Sequence, residues 1–427
     1  MIKTFLFLCL LLGSMAVGGY PQEKAPGYIS LDDCIKLATE NNPNLAIHRS
    51  RIKQKEEAHS IAKTTGLADV SLAASYNRLA YVPQIKQRFL GNSFDDFQAR
   101  IGLKQPLYAG GRYNAAENEA LYSLNTARKA YEGAENELVY RVKTSYFRLM
   151  FTMEASAIKE DLSDRLKSYL SVAEELNRRT KLPREETLLR IRAQVSNARQ
   201  ELISAENNVS VTRSLLFNVI GINDDKQYKV MPVEAHSEKV LSKENVYPGL
   251  KNNIELLKLE EEIKKAKESS KIARSINYPQ INLLASYGYE WSQFPPQQDD
   301  WVAGITLDMP LWDWHRTKSR IKQAQAYVEE TENTKNSSEK QLLYELESAY
   351  LNYTANIERA KIAKEGLQYA QKSLSLFEKR YKDATAASIE LLDAGQAYLQ
   401  ARLNYIQAEL DIRLAKAEIE RITGRQQ

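Results

Sequence analysis

Four stretches of the chain alternate apolar and polar residues with the period of a β-strand. In the first, Val70, Leu72, Ala74 and Tyr76 alternate with Ser71, Ala73, Ser75 and Asn77. The second carries Phe97, Ala99, Ile101, Leu103 and Leu107 against Gln98, Arg100, Gly102 and Lys104. Ile281, Leu283, Ala285, Tyr287, Tyr289 and Trp291 form the third, and Trp301, Ala303, Ile305, Leu307 and Met309 the fourth. Alternation most often serves a sheet packed on a soluble core. Here each segment is near the roughly 9 to 11 residues of a membrane strand, and aromatics gather at the segment ends, as at Tyr76, Tyr81, Tyr108, Trp291 and Trp301. A bilayer admits strands only as a closed barrel, which starts at about 8 strands, so four per chain require an oligomer. Parity alone allows a dimer of about eight strands or a trimer of about twelve.

After Pro106 and Pro310 the period becomes helical. No proline follows until Pro183 in the first case, and none at all in the second. Residues 112–180 as one helix would reach roughly 100 Å at 1.5 Å per residue, a length that suits a helix pair or a tube rather than a globular core. In the last helix Ala394, Ala401, Ala408, Ala415 and Ile422 recur at heptad spacing, as do Leu403, Leu410 and Ala417, a seam that permits close helix approach. The switch falls in "GLKQPLYAGGRYNAAENEA", where Pro106 can end a strand and Gly110 with Gly111 can turn the backbone. It recurs in "TLDMPLWDWHRTKSRIKQAQA" with Pro310 but without glycines. The turn at Asp313 and Trp314 is therefore expected to take a different backbone conformation.

That recurrence is part of a duplication. "NNPNLA" at 41 and "NNIELL" at 252 lie 211 residues apart, and the same spacing pairs "VSLAASY" with "INLLASY". It then shortens to 204, pairing Pro106 with Pro310, Arg112 with Arg316 and Tyr146 with Tyr350, and ends at 203, pairing Ala198 with Ala401 and Gly221 with Gly424. The expected organisation is a signal peptide at 1–19, a first repeat at 20–221, a linker or equatorial segment at 222–247 and a second repeat at 248–427. Each repeat reads helix, two strands, long helix, helix. Ser30 with Asp33 forms a capping-box pattern before the first helix, and Asn41, Asn42 and Pro43 interrupt it. The linker shows no helical period.

Composition narrows the function. The 427 residues carry 59 basic and 55 acidic side chains, and a net charge of +4 leaves no footprint for a polyanion, so nucleic acid is not an expected partner. "MIKTFLFLCLLLGSMAVGG" reads as a cleaved secretory signal, its apolar stretch being far short of the roughly 20 residues of a spanning helix. Leu8 before Cys9 argues against lipidation, and removal of the leader would leave Cys34 as the single cysteine, without an intrachain disulfide. The histidines His48, His59, His236 and His315 are scattered, and no metal, phosphate-loop or nucleophile motif emerges. No cofactor and no catalytic residue is expected; the pattern favours a conduit over an enzyme. A periplasmic coiled-coil scaffold or adaptor without a pore is the alternative, and a secreted enzyme a distant third.

These features together resemble the TolC-like outer-membrane efflux proteins over essentially the whole mature chain. "ISLDDCIKLATENNPNLA", "YPQINLLASY", "QPLYAGGR", "MPLWDWHR" and the half-ending glycines of "LLFNVIGIN" and "AEIERITG" carry the resemblance, in order and twice over. It implies an α+β membrane protein in which a long α-helical coiled-coil barrel continues a transmembrane β-barrel of four strands per chain, twelve in a homotrimer. It further implies a passive exit duct, in the outer membrane with its helices in the periplasm, for a tripartite efflux or type I secretion system. The implied partners are a periplasmic adaptor, an inner-membrane transporter and the outer-membrane lipid.

The resemblance also assigns residues. "RYKDATAASIELLDA" matches the family's periplasmic tip, with Arg380 and Tyr381 in the gate and Glu390 and Asp393 as paired acids that threefold symmetry would turn into two rings. Three residues apart on a helix, the two acids share a face. Ala384 replaces a family glycine, and Ala386 stands where a gate arginine would be. In the first half Thr187 is kept, but Leu188 occupies the place of an acidic partner, so the closing network is expected to use other groups, such as Arg178, Arg179 or Glu186. Pro106, Gly110, Gly111 and Pro310 form the expected junction between barrel and helices.

Overall fold

A computed structural model describes residues 27–84, 87, 93–180, 184–222, 228–231, 241–292, 299–382 and 388–424. Residues 1–26 with Cys9, and Pro183, His236, Ala384 and Ala386, lie outside the described residues. The chain begins with strand β1 (Gly27–Ile29), then α1 (Leu31–Asn41) and α2 (Pro43–Thr64). Strands β2 (Asp69–Arg78) and β3 (Asp95–Tyr108) lead into α3 (Arg112–Thr180) and α4 (Glu185–Ile220). After β4 (Tyr228–Val230), the short α5 (Lys243–Val246) and a 3-10 segment at Tyr247–Asn252, the order recurs as α6 (Ile254–Ser275), β5 (Gln280–Trp291), β6 (Asp299–Asp308), α7 (Arg316–Lys382) and α8 (Ser388–Thr423). Among the described residues no helix is long and apolar enough to cross a membrane. Helix α5 and the 3-10 segment fall where the sequence shows no helical period, because one or two turns are too short to display one.

The capping box at Ser30 forms as the sequence suggests: Asp33 N–H donates to the Ser30 hydroxyl, and the Ser30 N–H donates to the Asp33 carboxylate at 2.9 Å. The paired asparagines have a double role. Asn42 and Asn253 each cap the helix that follows, accepting from Asn44 N–H and Glu255 N–H at 2.9 Å. Their side-chain amides donate to the last turns of the returning helices, Asn42 to Val219 O at 2.9 Å and Asn253 to Ile422 O at 2.8 Å. Those helices end at Gly221 (φ 87°) and Gly424 (φ 66°), left-handed positions where an added Cβ would meet Asn41 O or Asn252 O at 3.0 Å. One motif thus starts a helix and fastens the end of another, once in each half.

Two apolar clusters surround these fastenings. Cys34, Leu45, Val142, Tyr146, Leu216 and Phe217 fill the first, and Leu346, Ala349, Tyr353, Ile419 and Ile422 the second. Burial pushes the Cys34 thiol up to about 12, which leaves it an inert packing group. Strands β1 and β4 form a parallel pair beside the first cluster, and the Tyr146 hydroxyl donates to Met231 O at 2.6 Å. The halves are tied to each other by α3 against α8, with Lys143 Nζ 2.6 Å from the Glu420 carboxylate and both side chains largely buried.

The sheet order is β2-β3-β5-β6, antiparallel throughout. Its two hairpins share one register: Leu72 stands opposite Ile101 and Tyr76 opposite Phe97, while Leu283 stands opposite Ile305 and Tyr287 opposite Trp301. The middle seam sets Ile101 opposite Tyr287 and Leu103 opposite Ala285. All four strands consequently present their apolar residues on one face of the sheet, as pairing with period two demands. Every residue of the edge strands β2 and β6 is exposed, on both faces.

Candidate functional site

Three regions carry the residues singled out by the sequence. On the polar face of the sheet, Arg100 of β3 crosses Gly288 of β5 to reach Asp300 of β6 at 2.8 Å, with Glu290 at 3.5 Å. A side chain at Gly288 would stand 2.4 Å from the Arg100 Cγ, so the missing Cβ is what opens this path. On the apolar face, each hairpin has a tyrosine bonded to an aspartate near its loop. Tyr76 donates to Asp95 at 2.9 Å and Tyr287 to Asp299 at 3.2 Å, beside the stacked Phe97 and Trp291 rings. Apolar strand centres with an amphipathic aromatic rim have the composition of a lipid-facing surface.

At the strand-to-helix junctions the structure corrects one expectation. Gly110 (φ 59°) and Gly111 (φ 78°) are left-handed, but so are Trp314 (φ 55°) and His315 (φ 64°) at the equivalent positions. The hydrogen bonds match as well: Arg112 N–H donates to Ala109 O and Ala115 N–H to Gly111 O, just as Arg316 N–H donates to Asp313 O and Ser319 N–H to His315 O. The turn is therefore the same. Its non-glycine copy costs about 1–2 kcal/mol per residue in a left-handed conformation. Asp313 offsets part of this by accepting from Thr317 N–H at 2.8 Å and from the Thr317 hydroxyl. What differs is space: a Cβ on Gly110 would stand 2.6 Å from Tyr278 Cβ, whereas Trp314 is 83% exposed. Pro106 sits inside β3, paired with Asn282, one residue before a register shift that accommodates its missing N–H. Pro310 lies just beyond β6, exposed.

The third region is the far end of the long helices. Leu162, Leu166 and Ala173 of α3, Leu188 and Ile191 of α4, and Leu392 and Leu399 of α8 form one apolar cluster. Leu188 is thus a packing residue. Thr187 is half-buried, and Glu186 is exposed with Arg184 at 4.0 Å. Arg178 and Arg179 both pair with Glu175 one turn back on their own helix, so they do not bridge the halves through that contact. Glu390 and Asp393 are exposed, interspersed with the buried Leu391, Leu392 and Ala394 of α8. Arg380 lies over the Phe377 ring at 5.8 Å.

The charged groups that bridge the halves at this end were not singled out by the sequence. Arg165 of α3 donates to Glu378 of α7 at 2.9 Å and to Asp161 at 3.0 Å. The Tyr169 hydroxyl donates to the same Glu378 oxygen at 2.6 Å, and burial together with that bond raises the phenol well above its ordinary range. Tyr381 packs edge-on against Tyr169, ring centroids 6.4 Å apart, with its hydroxyl buried and without a hydrogen-bond partner among the described residues. The arrangement is a clamp between one helix pair and the other. A signal for it does exist in the repeat. Glu174, the counterpart of Glu378, is held within its own pair by Arg192 at 2.9 Å, and Gly395 occupies the position of Arg192 in the second half. Lacking an arginine at that position of its own pair, Glu378 takes Arg165 from the other.

With this geometry established, the chain can be set beside known proteins. It is 21% identical to the outer membrane protein TolC of Vibrio cholerae, over 98% of this chain and 94% of that protein. Among solved structures, the MtrE outer membrane channel of Neisseria gonorrhoeae in its open state superposes with a TM-score of 0.81 at 18% identity, covering 92% of this chain and 88% of that one. The outer membrane protein VceC of Vibrio cholerae gives 0.78 at 18% identity, covering 92% and 96%. Residues 34–221 and 247–425 match the family described as outer membrane efflux protein, and the chain belongs to that family.

Proposed function

We propose that this protein is the passive exit duct of a tripartite efflux or type I secretion system, working as a homotrimer that spans the outer membrane and reaches through the periplasm. As a member of an efflux channel family it is not an enzyme. The observation that carries the oligomer is the sheet: four strands with one continuous apolar face and two fully exposed edges of 10 residues each, and the number three follows the trimeric channels of the family. An open edge cannot stand in lipid. Three copies would close twelve strands, with the repeats at 20–221 and 248–427 and the segment 222–247 around the equator. The polar face, with Arg100, Glu290 and Asp300, would then line the lumen. The helix ends would meet a periplasmic adaptor and, through it or directly, an inner-membrane transporter that supplies the energy.

In this reading the Arg165–Glu378–Tyr169 clamp holds the periplasmic end narrow, with Tyr381 packed on it, and Glu390 and Asp393 form acidic rings at the entrance. Rings of carboxylates concentrate cations. The test is conductance of the purified protein in planar bilayers. Arg165→Ala and Glu378→Ala are expected to raise single-channel conductance, and Glu390→Ala with Asp393→Ala to lower cation selectivity. A protein that fractionates as a soluble monomer after detergent-free lysis, or that forms no conducting unit, overturns the duct. Charged substitutions at Ile101 and Ile305 separate it from the scaffold alternative, which has no lipid-facing strands to disrupt.

A further inference from the structure

Between α3 and α6 a groove opens just beyond the sheet. Tyr108 and Ile281, paired after the register shift, end the apolar face of β3 and β5. Gly110 and Tyr278, two and three residues away, line the near end of a cavity of about 300 Å³, the lower end of small-molecule sites. Asn114 and Asn118 line it from α3, and Glu268, Lys271 and Arg274 from α6. Resting on the reading above that the apolar face meets lipid, we propose that this groove binds the head of a phospholipid of the periplasmic leaflet, one that joins a phosphate diester to a primary ammonium, as phosphatidylethanolamine does.

The buried end of the groove is short of a donor. Glu268 is 7% exposed; one carboxylate oxygen accepts from Lys271 Nζ at 2.7 Å, and the other has no hydrogen-bond partner among the described residues. A buried carboxylate oxygen without a donor is costly, and a primary ammonium, which carries three, meets the need. At the near end the charge is reversed. Arg274 is exposed and makes no ion pair among the described residues, and Lys271 spends only one of its three donors on Glu268. A phosphate placed there meets two cations, with the Asn114 and Asn118 amides across the groove.

The order of these groups is the order of the lipid. Moving away from the sheet, through the turn and back along α6, come Tyr278, Arg274, Lys271 and Glu268, the last about 9 Å beyond Arg274 along the helix axis. In a phospholipid the acyl chains come first, the phosphate next and the ammonium last. Leu107 and Tyr108, both half-exposed, give the chains an apolar surface beside the groove, and tyrosine suits the depth of the interface.

The groove lies on the outer side of the helices. Asn114 and Asn118 stand about ten and eight whole turns before Met150 and Phe147 on α3, hence on the same face. Met150 and Phe147 pack against the cluster that holds Ile29 of β1 and Val230 of β4. In an open duct that extra layer stands outside the wall, and the groove with it. The opposite face of α3, where Arg112, Arg141 and Arg148 are exposed, is left for the lumen.

Native mass spectrometry of the full-length protein, purified in detergent and given dioleoyl phosphatidylethanolamine or dioleoyl phosphatidylcholine, tests the site. The two lipids share the phosphate and differ in whether the nitrogen can donate. The parent protein is expected to retain roughly tenfold more of the ethanolamine lipid, the weight of one charge-assisted hydrogen bond. Glu268→Gln is expected to remove most of that preference, and Arg274→Ala to weaken both lipids alike. Asn118→Trp, at an exposed position, fills the groove and is expected to lose both, which keeps the test decisive if the buried variant folds poorly. Equal retention of the two lipids by the parent, or a preference that survives Glu268→Gln and Asn118→Trp, overturns the site. Glycerophosphoethanolamine, the same head without acyl chains, is expected to displace the lipid only in large excess; displacement at equal concentration would assign the groove to a soluble ligand and overturn the lipid. The duct reading fails separately, by the absence of a conducting unit in planar bilayers.

Discussion

The two strand-to-helix junctions make the same backbone turn from opposite materials. At the first, Gly110 and Gly111 adopt left-handed angles at little cost, and Tyr278 fills the space where a side chain would be. At the second, Trp314 and His315 adopt similar left-handed φ angles against their preference, the Asp313 carboxylate caps the following helix, and the indole, met edge-on by the Trp312 ring, stays largely exposed. Backbone geometry is thus fixed by the need to lead a strand into a long helix. The side chains are fixed by what stands alongside, which is the chain itself at one junction and, in the proposed trimer, another copy at the other.

The largest effect is expected where space and angle are both exhausted. Gly110→Ala should destabilise the protein by about 3 kcal/mol, combining left-handed strain with a collision against Tyr278, and Tyr278→Ala in the same chain should restore part of the loss. Thermal unfolding in detergent reads both; an unaltered midpoint in Gly110→Ala would show that the turn yields. At the second junction Asp313→Ala should cost about 1 kcal/mol through loss of the cap, and no more than a few tenths if Thr317 finds water instead. Trp314→Gly should change stability of the protomer by less than about 1 kcal/mol, because relieved strain and added chain entropy oppose each other. The same variant should weaken the trimer, and a trimer of undiminished heat resistance would break the contrast between the junctions.

The smallest effect concerns a pair of ion pairs that the repeats hold with reversed polarity. Arg128 on α3 meets Glu56 on α2 at 3.1 Å, and at the equivalent positions Glu332 on α7 meets Lys267 on α6 at 2.9 Å. Both are largely exposed, so each contributes less than about 1 kcal/mol. Arg128→Glu should cost about 0.5 kcal/mol by setting two carboxylates against each other, and adding Glu56→Lys should recover it by installing the polarity of the other half. A double variant no better than the single one would mean that the two seams are not interchangeable.

Much of the fold was legible because it rests on local rules. Alternation over four short stretches gave strands, proline-free periodic runs gave helices, and Ser30 with Asp33 gave the start of the first helix. The turn at Trp314 was misread because residue preference was taken as the arbiter of conformation, when the flanking strand and helix dictate it. At the far end of the helices, Tyr381, Glu390 and Asp393 could be singled out from the family pattern, but the clamp could not. Arg165 and Glu378 stand 213 residues apart, and only the packing of one helix pair on the other brings them to 2.9 Å. The displaced partner at Gly395 was visible in the repeat, yet it becomes meaningful only once Glu378 is seen to turn elsewhere.

By itself the sequence determined the period of each element, the duplication and the amphipathic faces, since those depend on residues a few positions apart and on the geometry of helix and strand. Tertiary structure alone decided the strand register, the common left-handed turn and the partner of each charge. These depend on which distant segments are pressed together, and on how much space is left between them.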